Sequence, residues 1–191
     1  HETTVWEEPV EVSGHAASMP KVKLGMQKGD KFLLEDLLYS LMLESHNDTA
    51  VAIAEYIDGS VPAFAQRMNE KARSLGCRDT NFITPNGLDA EVDGKIHETT
   101  AADLARIAAY ALKNEDFRKI IGTRSYTFPE LSGRRTFQVY NKDRFLDLMD
   151  GAIGIKTGFT GKAGYCFVGA LERDKKTFVS VVLGSGWPPH K

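Results

Sequence analysis

Two helical patterns separated by a short polar break occupy residues 31–59, KFLLEDLLYSLMLESHNDTAVAIAEYIDG. Apolar residues recur at helical spacing before the break, and this predicts an amphipathic helix over 32–44. The same spacing resumes at Ala50 and predicts a second helix that ends at Gly59. Four residues of the capping type cluster within 44–49, which indicates that one helix stops and another begins there.

Downstream of this pair the chain continues with helices and then changes to the period of strands. Further helices are predicted over 61–75, from Thr100 through Ala111, and around Phe117 to Ile121. Period-two patterns after Gly122 predict strands at 126–128, 136–140, 153–157, 164–171 and 177–183, the last two as an antiparallel hairpin. A long polar connection covers 77–99, and 7–13 holds a weak edge-strand pattern. This order predicts an α/β (α+β) fold with a helical lobe and an antiparallel sheet.

The composition is that of a soluble globular chain. Its 191 residues are 42% hydrophobic and 26% charged, with a formal net charge of -2. Nucleic acid is not an expected partner, because the chain has neither a basic excess nor a basic stripe. No apolar run approaches the roughly 20 residues of a membrane span, and no leader is expected at the start. Cys77 and Cys166 are expected to be small buried hydrophobes.

Two short motifs carry the candidate chemistry. Ser45-His46-Asn47 lies in the helix break, and Lys156-Thr157-Gly158 ends a predicted strand. Alone, the first is most often a helix cap and the second a strand end with a turn. In this order, and in these local structures, the pair matches elements used in acyl transfer to a serine.

Such acyl transfer needs an activated hydroxyl, a proton path to the leaving nitrogen and donors for the developing oxyanion. We therefore assign catalytic roles to Ser45, which passes a proton, and to Asn47, whose amide can hold both a substrate amide and a lysine. Lys156 is the third catalytic candidate, since its positive charge attracts a carboxylate and disfavours protonation of a neighbouring lysine.

Three residues that follow Lys156 are assigned to substrate binding. The hydroxyl of Thr157 can donate to a substrate carboxylate, and Gly158 lets a peptide lie close against the strand. Phe159 continues the same surface. A peptide would bind here by extending the strand.

These motifs and their surroundings resemble the serine-type D-alanyl-D-alanine carboxypeptidases, the low-molecular-weight penicillin-binding proteins. The resemblance covers essentially the whole chain. Segments that resemble the family are the helix and break at 37–48, TPNGLD at 84–89, HETTA at 97–101, KTGFT at 156–160 and AGYC at 163–166. It implies a β-lactamase/transpeptidase-like fold and one penicillin-binding peptidase domain over 1–191, incomplete at both ends. Within it, 31–122 would form a mainly helical lobe and 123–191 a mainly β lobe.

The resemblance also implies a function. The family hydrolyses the D-Ala-D-Ala end of peptidoglycan stem peptides through an acyl-enzyme, binds β-lactam antibiotics, and works outside the cytoplasm, in the cell envelope. It needs no metal or other cofactor, so none is expected here.

One family motif has no convincing counterpart. The family's nucleophile lies in Ser-x-x-Lys at the start of a buried helix, well upstream of the Ser-x-Asn loop. The formal match is Ser18-Met19-Pro20-Lys21, but it is too close to Ser45 and is followed by VKLGM rather than by a helical pattern. We interpret Ser18 as a coincidental match and expect it to lie away from the cleft. The nucleophile segment is then absent from this chain, which alone would be inactive.

Its absence should leave an apolar groove lined by the helix at 32–44, the helix at 100–112 and the strand at 152–157. Exposed apolar surface costs roughly 25 cal/mol per Å², so we expect a second chain, a swapped element or collapse of the flanking helices to fill it. His46 is expected to be a solvated loop residue, and His97 to orient the middle connection by a hydrogen bond.

Three alternatives stay open. A class A β-lactamase shares the motifs but needs a glutamate on a loop between them, and neither Glu91 nor Glu98 has the matching context. A non-catalytic binding fragment is consistent with the missing nucleophile. A zinc D,D-peptidase needs clustered ligands, and the five histidines show no such spacing.

Overall fold

The structure, a computed structural model, describes residues 5–186. A 3-10 turn at Val5–Glu7 begins the described chain. The helices are α1 (Gly14–Ala17), α2 (Leu34–Glu44), α3 (Asn47–Asp58), α4 (Val61–Ser74), α5 (Ala101–Ala111), α6 (Glu115–Ile121) and α7 (Phe145–Leu148). The strands are β1 (Pro9–Glu11), β2 (Lys31–Leu33), β3 (Glu91–Val92), β4 (Lys95–Ile96), β5 (Ser125–Pro129), β6 (Thr136–Tyr140), β7 (Ala152–Thr160), β8 (Gly164–Arg173) and β9 (Lys176–Ser185).

The start of α2 differs from its prediction. Residues 31–33 form β2, which pairs antiparallel with β1, and the helix begins only at Leu34. Phe32 is fully buried in the core that also holds Val10 of β1. The predicted helix over 32–44 was therefore two residues too long. A buried apolar residue can fit the helical spacing of its neighbours even when it belongs to an adjacent strand. The edge strand predicted within 7–13 is confirmed as Pro9–Glu11.

The break between α2 and α3 is tighter than predicted. α3 begins at Asn47 rather than at Ala50, so only Ser45 and His46 lie between the helices. Ser45 ends α2 in the left-handed conformation, with φ 63° and ψ 39°. For a residue with a side chain this conformation costs about 1 kcal/mol, so the neighbouring contacts must stabilise it.

The later helices follow their predictions closely. Ser60 caps α4, with its side chain accepting from Ala63 N–H, and Thr100 caps α5 by accepting from Asp103 N–H. Both caps satisfy backbone donors that a helix start otherwise leaves unpaired. The short helix predicted around 117–121 is confirmed as α6.

The strands after residue 122 form two antiparallel sheets. β5 pairs with β6, and β7, β8 and β9 form a three-stranded sheet in that order. The predicted β8–β9 hairpin is confirmed. Across the three-stranded sheet, Lys156 of β7 lies opposite Val168 of β8, and Val168 lies opposite Val181 of β9. These three side chains therefore share one face of the sheet.

Two buried clusters hold these layers together. The larger joins β1, β2, α2 and α3 to β5 and β6, with the rings of Phe32, Phe128 and Phe137 in edge and stacked contacts. The smaller joins α5 and α6 to the three-stranded sheet through residues such as Ala108, Ile121 and Ala170. The end of α2 and the edge strand β7 therefore meet across the space between the clusters.

Candidate active site

A cavity of about 1240 Å³ lies between the end of α2, strand β7, the loop at 85–88 and the segment at 142–145. All six residues assigned from the sequence line it: Ser45, Asn47, Lys156, Thr157, Gly158 and Phe159. The structure thus brings together two motifs that are more than 100 residues apart in the chain. Their juxtaposition is the geometry that a shared chemical step requires.

Ser45 and Lys156 are in direct contact across this cavity. The Lys156 Nζ atom donates to Ser45 Oγ at 2.9 Å and to the Thr157 carbonyl at 2.6 Å. The left-handed turn at Ser45 lets its hydroxyl leave the end of α2 toward β7. Because the ammonium is the donor in this pair, the hydroxyl hydrogen of Ser45 remains available for a third group.

Asn47 is almost fully buried at the cavity wall. Its side-chain amide donates to the Pro20 carbonyl at 3.1 Å, and its backbone N–H donates to the Val22 carbonyl at 2.8 Å. Asp48 extends this attachment by accepting from the backbone N–H groups of residues 24–26. Asn47 and Asp48 therefore hold the segment at 20–26 in place beside the Ser-x-Asn loop.

Burial changes the charge behaviour of Lys156. It lowers the pKa of this lysine to about 8, and the nearby carboxylate of Asp143 opposes the shift. Asp143 is itself buried, and burial raises the pKa of its carboxyl. One Asp143 oxygen accepts from Phe145 N–H, and Oδ2 has no hydrogen-bond partner among residues 5–186. Asp143 could not be selected from the sequence, since an aspartate before a short helix also fits a cap.

The substrate-binding candidates form one wall along β7. A Cβ atom added at Gly158 would meet no atom within 4 Å, so the strand is open to a close-lying chain there. Phe159 is 61% exposed and packs on Tyr165 of β8, with ring centroids 4.6 Å apart. Cys166, opposite Gly158, is half-buried and lines the cavity, so the expectation of a buried hydrophobe is wrong for it. Cys77 is buried as expected.

The middle connection forms the rim above β7. Thr160 at the end of β7 donates to Asp89 at 2.9 Å, which joins the connection to the strand. His97 Nδ1 accepts from Ile83 N–H at 2.9 Å, and this is the structural role expected from the sequence. The loop at 85–88, which lines the cavity, was missed as part of the site, because turn-forming residues give no chemical signal.

The residues of the formal Ser-x-x-Lys match are not arranged as a catalytic pair. Ser18 is the C-terminal cap of the short helix α1, is exposed, and donates to the His15 carbonyl at 2.7 Å. Lys21 lines the cavity whereas Ser18 does not. This agrees with the interpretation of Ser18 as a coincidental match.

Two expectations about the surroundings are wrong. His46 is 4% exposed rather than solvated, because its ring packs back against α2. The groove is lined by α2 and β7 as predicted, with Leu41, Met42 and Lys156, but not by α5. The apolar face of α5 packs on β8 and β9 instead, where Ala108 joins the smaller core cluster.

Within residues 5–186 no helix is long and apolar enough to cross a membrane. The same residues contain no group of three or more histidine, cysteine, aspartate or glutamate side chains placed to hold a metal ion.

Comparison with known proteins gives consistent results. The family model described as D-alanyl-D-alanine carboxypeptidase matches residues 2–186. The chain is 34% identical to D-alanyl-D-alanine carboxypeptidase DacF of Bacillus subtilis over 95% of this chain and 46% of that protein. It is 36% identical to the D-alanyl-D-alanine carboxypeptidase of Streptomyces sp. strain K15, over 82% of this chain and 56% of that protein. The chain thus spans about half the length of the curated relatives it matches.

Solved structures show the same fold. The D-alanyl-D-alanine carboxypeptidase of Mycobacterium tuberculosis H37Rv superposes with a TM-score of 0.87 at 31% identity, covering 96% of this chain and 67% of that one. The Streptomyces K15 DD-transpeptidase gives a TM-score of 0.86 at 30% identity, covering 98% and 75%. The family match, the relatives and the shared fold agree, and the chain belongs to the D-alanyl-D-alanine carboxypeptidase family.

Proposed function

We propose that this chain is the Ser-x-Asn and Lys-Thr-Gly part of a serine D-Ala-D-Ala carboxypeptidase acting on peptidoglycan stem peptides. The observation that carries the proposal is the 2.9 Å contact between Lys156 Nζ and Ser45 Oγ across one cavity. A lysine, a serine hydroxyl and an asparagine at one wall supply the charge and the proton path of acyl transfer.

Each residue takes one step in the proposed reaction. The terminal carboxylate of the substrate binds Lys156 and Thr157, while the peptide lies along β7 beside Gly158 and Phe159. Lys156 donates to Ser45 Oγ, so the Ser45 hydroxyl is free to donate its proton to the leaving D-Ala nitrogen. Asn47 holds the substrate amide. A nucleophilic hydroxyl attacks the carbonyl of the penultimate D-Ala and gives its proton to the lysine of its own Ser-x-x-Lys motif. As the peptide C–N bond breaks, Ser45 protonates the leaving nitrogen and that lysine returns a proton to Ser45. Water later hydrolyses the ester.

In this proposal the nucleophile is not one of the 191 residues. Ser18 is exposed at a helix end outside the cavity, so it cannot attack a carbonyl beside Ser45. We propose that a Ser-x-x-Lys segment outside residues 1–191 supplies it. That segment would sit in the cavity, where Leu41, Met42 and Phe145 offer apolar surface. A second chain or a swapped element is the alternative occupant.

The family also suggests ligands and location. β-lactam antibiotics acylate the same serine as the D-Ala-D-Ala peptide in this reaction scheme, and peptidoglycan lies outside the cytoplasm. We therefore propose β-lactam binding by the full-length protein and work in the cell envelope.

The test uses a fluorescent penicillin and an N-acylated peptide ending in D-Ala-D-Ala. The full-length protein should form a covalent adduct and release D-Ala, and the 191-residue chain should do neither. Ser45→Ala in the full-length protein should slow acylation by about 100-fold or more. Ser74→Ala is the control, since Ser74 is exposed at the end of α4. Labelling at Ser18, or a full-length protein that neither labels nor releases D-Ala, would contradict the proposal.

The same assays address the alternatives. A class A β-lactamase would turn over the penicillin rapidly, but Glu91 and Glu98 do not line the cavity and cannot activate a deacylating water there. A non-catalytic binding fragment would bind the peptide without releasing D-Ala from it, even when full-length.

A further inference from the structure

The ring of His46 is fully engaged inside the protein although it lies between two residues of the active site. Its Nδ1 atom is 2.8 Å from Ser40 Oγ, and its Nε2 atom is 3.0 Å from a Glu44 carboxylate oxygen. Ser40 Oγ is also 3.0 Å from the hydroxyl of Thr49 in the first turn of α3. The imidazole therefore connects the last turn of α2 to the start of α3.

The connectivity of carboxylate, imidazole and serine matches that of a hydrolytic triad, but a second active site is excluded by burial. Ser40 and Thr49 have no exposed surface, and His46 is 4% exposed. No substrate carbonyl can approach Ser40. The group must act on the structure around it, and the nearest functional structure is the left-handed turn at Ser45.

We infer that His46 is a positioning residue, which fixes the Ser45 turn and so aims the Ser45 hydroxyl at Lys156 and Asn47 at the cavity. This inference rests on the proposed function and extends it to His46, which lies between Ser45 and Asn47 in the sequence.

Burial lowers the pKa of His46 and so favours the neutral ring. The Glu44 carboxylate can only accept, so Nε2 carries a hydrogen. In the neutral ring Nδ1 then accepts from the Ser40 hydroxyl, which leaves Ser40 to accept from Thr49. The second Glu44 oxygen accepts from the backbone N–H of Tyr140 at 2.9 Å, which ties the turn to the end of β6.

The charged groups that face the ring come from three segments. Glu44 ends α2, Asp48 begins α3, and Lys142 lies 4.0 Å from Glu44 in the segment before α7. Burial lowers the pKa of His46, the two carboxylates oppose that shift, and Lys142 adds to it. Since the packed ring binds a proton less tightly than a free one, acid must favour arrangements in which the ring leaves its site. As the pH falls below 6.5, the ordinary pKa of histidine, the packed ring should therefore stabilise the turn less.

The first test measures acylation of the full-length protein by fluorescent penicillin between pH 5 and 8. We expect His46→Gln to slow acylation at pH 7 by about tenfold, because a small misplacement of Ser45 is costly. The wild-type rate should fall as the pH drops below 6.5, and the variant should lose that acid-side dependence. Ser40→Ala, which keeps the imidazole but removes its Nδ1 partner, should show a smaller loss and a shifted acid limb.

His15→Gln is the matched control. His15 also contacts a glutamate, Glu55, at 2.6 Å, but its side chain is 56% exposed and it does not line the cavity. Its variant should keep the wild-type rate and pH profile. A His46→Gln protein with the wild-type profile, or with a loss of rate matched by an equal loss of thermal stability and no change in profile, would overturn the inference.

A second readout does not depend on acylation. In NMR spectra of the full-length protein, the backbone signals of Ser45 and Asn47 should move with the titration of the His46 ring, and should stay constant in His46→Gln. Signals that ignore the ring titration would refute the positioning role whether or not the protein is acylated. Absence of penicillin labelling in the wild type, with the coupled titration intact, would instead count against the proposed function alone.

Discussion

The ammonium of Lys156 is held by two oxygen acceptors at the edge of the cavity, the Ser45 hydroxyl and the Thr157 carbonyl. A lysine there contributes little apolar packing, whereas in the proposed reaction its charge faces both the substrate and the proton-transfer path. The residue is thus positioned for chemistry more than for stability.

Replacement of Lys156 should separate activity from stability. In the full-length protein, Lys156→Ala should lower kcat/KM for a D-Ala-D-Ala peptide by about 100-fold or more, since a fixed charge is removed from the reacting centre. Thermal unfolding should shift by less than about 4 °C. Lys113→Ala, at an exposed position after α5, is the control and should change neither quantity. Parallel losses of activity and melting temperature would point to a structural role.

The lowered pKa of Lys156 predicts where substrate binding depends on pH. The ammonium is charged below a pKa of about 8 and neutral above it, so binding of a carboxylate-ended peptide should weaken as the pH rises through 8. The measurement is KM between pH 6 and 10. Lys156→Arg, whose charge does not titrate in that range, should give a KM that stays constant. A wild-type KM that is constant to pH 10 would contradict the shift.

At the residue scale, the motif residues that line the cavity could be selected from the sequence, whereas the buried polar residues packed around them could not. Ser45, Asn47 and Lys156 could be selected because each type has a defined role at a defined spacing. Asp143 and His46 could not, since their importance comes from burial, and burial is set by parts of the chain far from them in sequence. An aspartate or histidine in a polar stretch is ordinarily solvated.

Among the elements, α2 and α3 are joined by a break whose polar residues bind backbone groups of other segments. Asp48 is the clearest case. It has no exposed surface, and its two oxygens accept from the N–H groups of Leu24, Gly25, Met26 and its neighbour Thr49. One carboxylate therefore accepts the hydrogen bonds that the backbone N–H groups of residues 24–26 would otherwise make to water.

Removal of that carboxylate should be costly. Asp48→Ala removes the acceptor of four backbone N–H groups, two of them in the buried residues Met26 and Thr49, so the free energy of unfolding in urea should fall by about 3 kcal/mol. Asp58→Ala is the matched control, because Asp58 also carries hydrogen bonds, but to the exposed side chain of Arg67. Its effect should be far smaller. Equal effects of the two variants would show that the segment at 24–26 finds other partners.

The elements themselves were predictable where a pattern runs for several turns or alternations. The helix α4 and the β8–β9 hairpin meet that condition. The helices α1 and α7 were missed, since four residues make too short a window for periodicity. The start of α2 was misplaced because Phe32, an apolar residue of strand β2, continues the helical spacing of the apolar residues that follow it.

For the whole molecule, the main feature is a cavity of about 1240 Å³ at the junction of the two cores. Part of its wall is apolar, from Leu41, Met42 and Phe145. A space of this size exceeds what a drug-sized ligand needs, which supports the proposal that a segment of protein also occupies it.

The 191-residue chain by itself should therefore behave as a protein with exposed apolar surface. We expect it to bind the dye ANS more strongly than the full-length protein does, and to run larger than its 21.1 kDa in light scattering. A peptide carrying the proposed Ser-x-x-Lys helix should reduce both effects. A monomer that does not bind the dye would show that the walls close on each other instead.

The groove was predictable from the sequence only in part. Its walls from α2 and β7 follow from the two motifs, but the expectation that α5 lines the groove was wrong, because α5 packs on β8 and β9. Helical spacing shows that Ala108 and its neighbours face a core without showing which core. That choice depends on long-range packing.

The tetrapeptide Ser45-His46-Asn47-Asp48 sends its side chains in four directions: to strand β7, to the end of α2, to the carbonyl of Pro20 and to the loop at 24–26. Under the proposed β-lactam acylation, selection by antibiotics would act on the rate of acylation, yet His46, Asn47 and Asp48 also hold separate parts of the fold. Most substitutions at these three positions would therefore lower the folding yield of a resistant lineage. Resistance should therefore evolve first along the exposed rim, at positions such as Phe159 and Tyr165, where a substitution alters the drug's surroundings and leaves the scaffold intact.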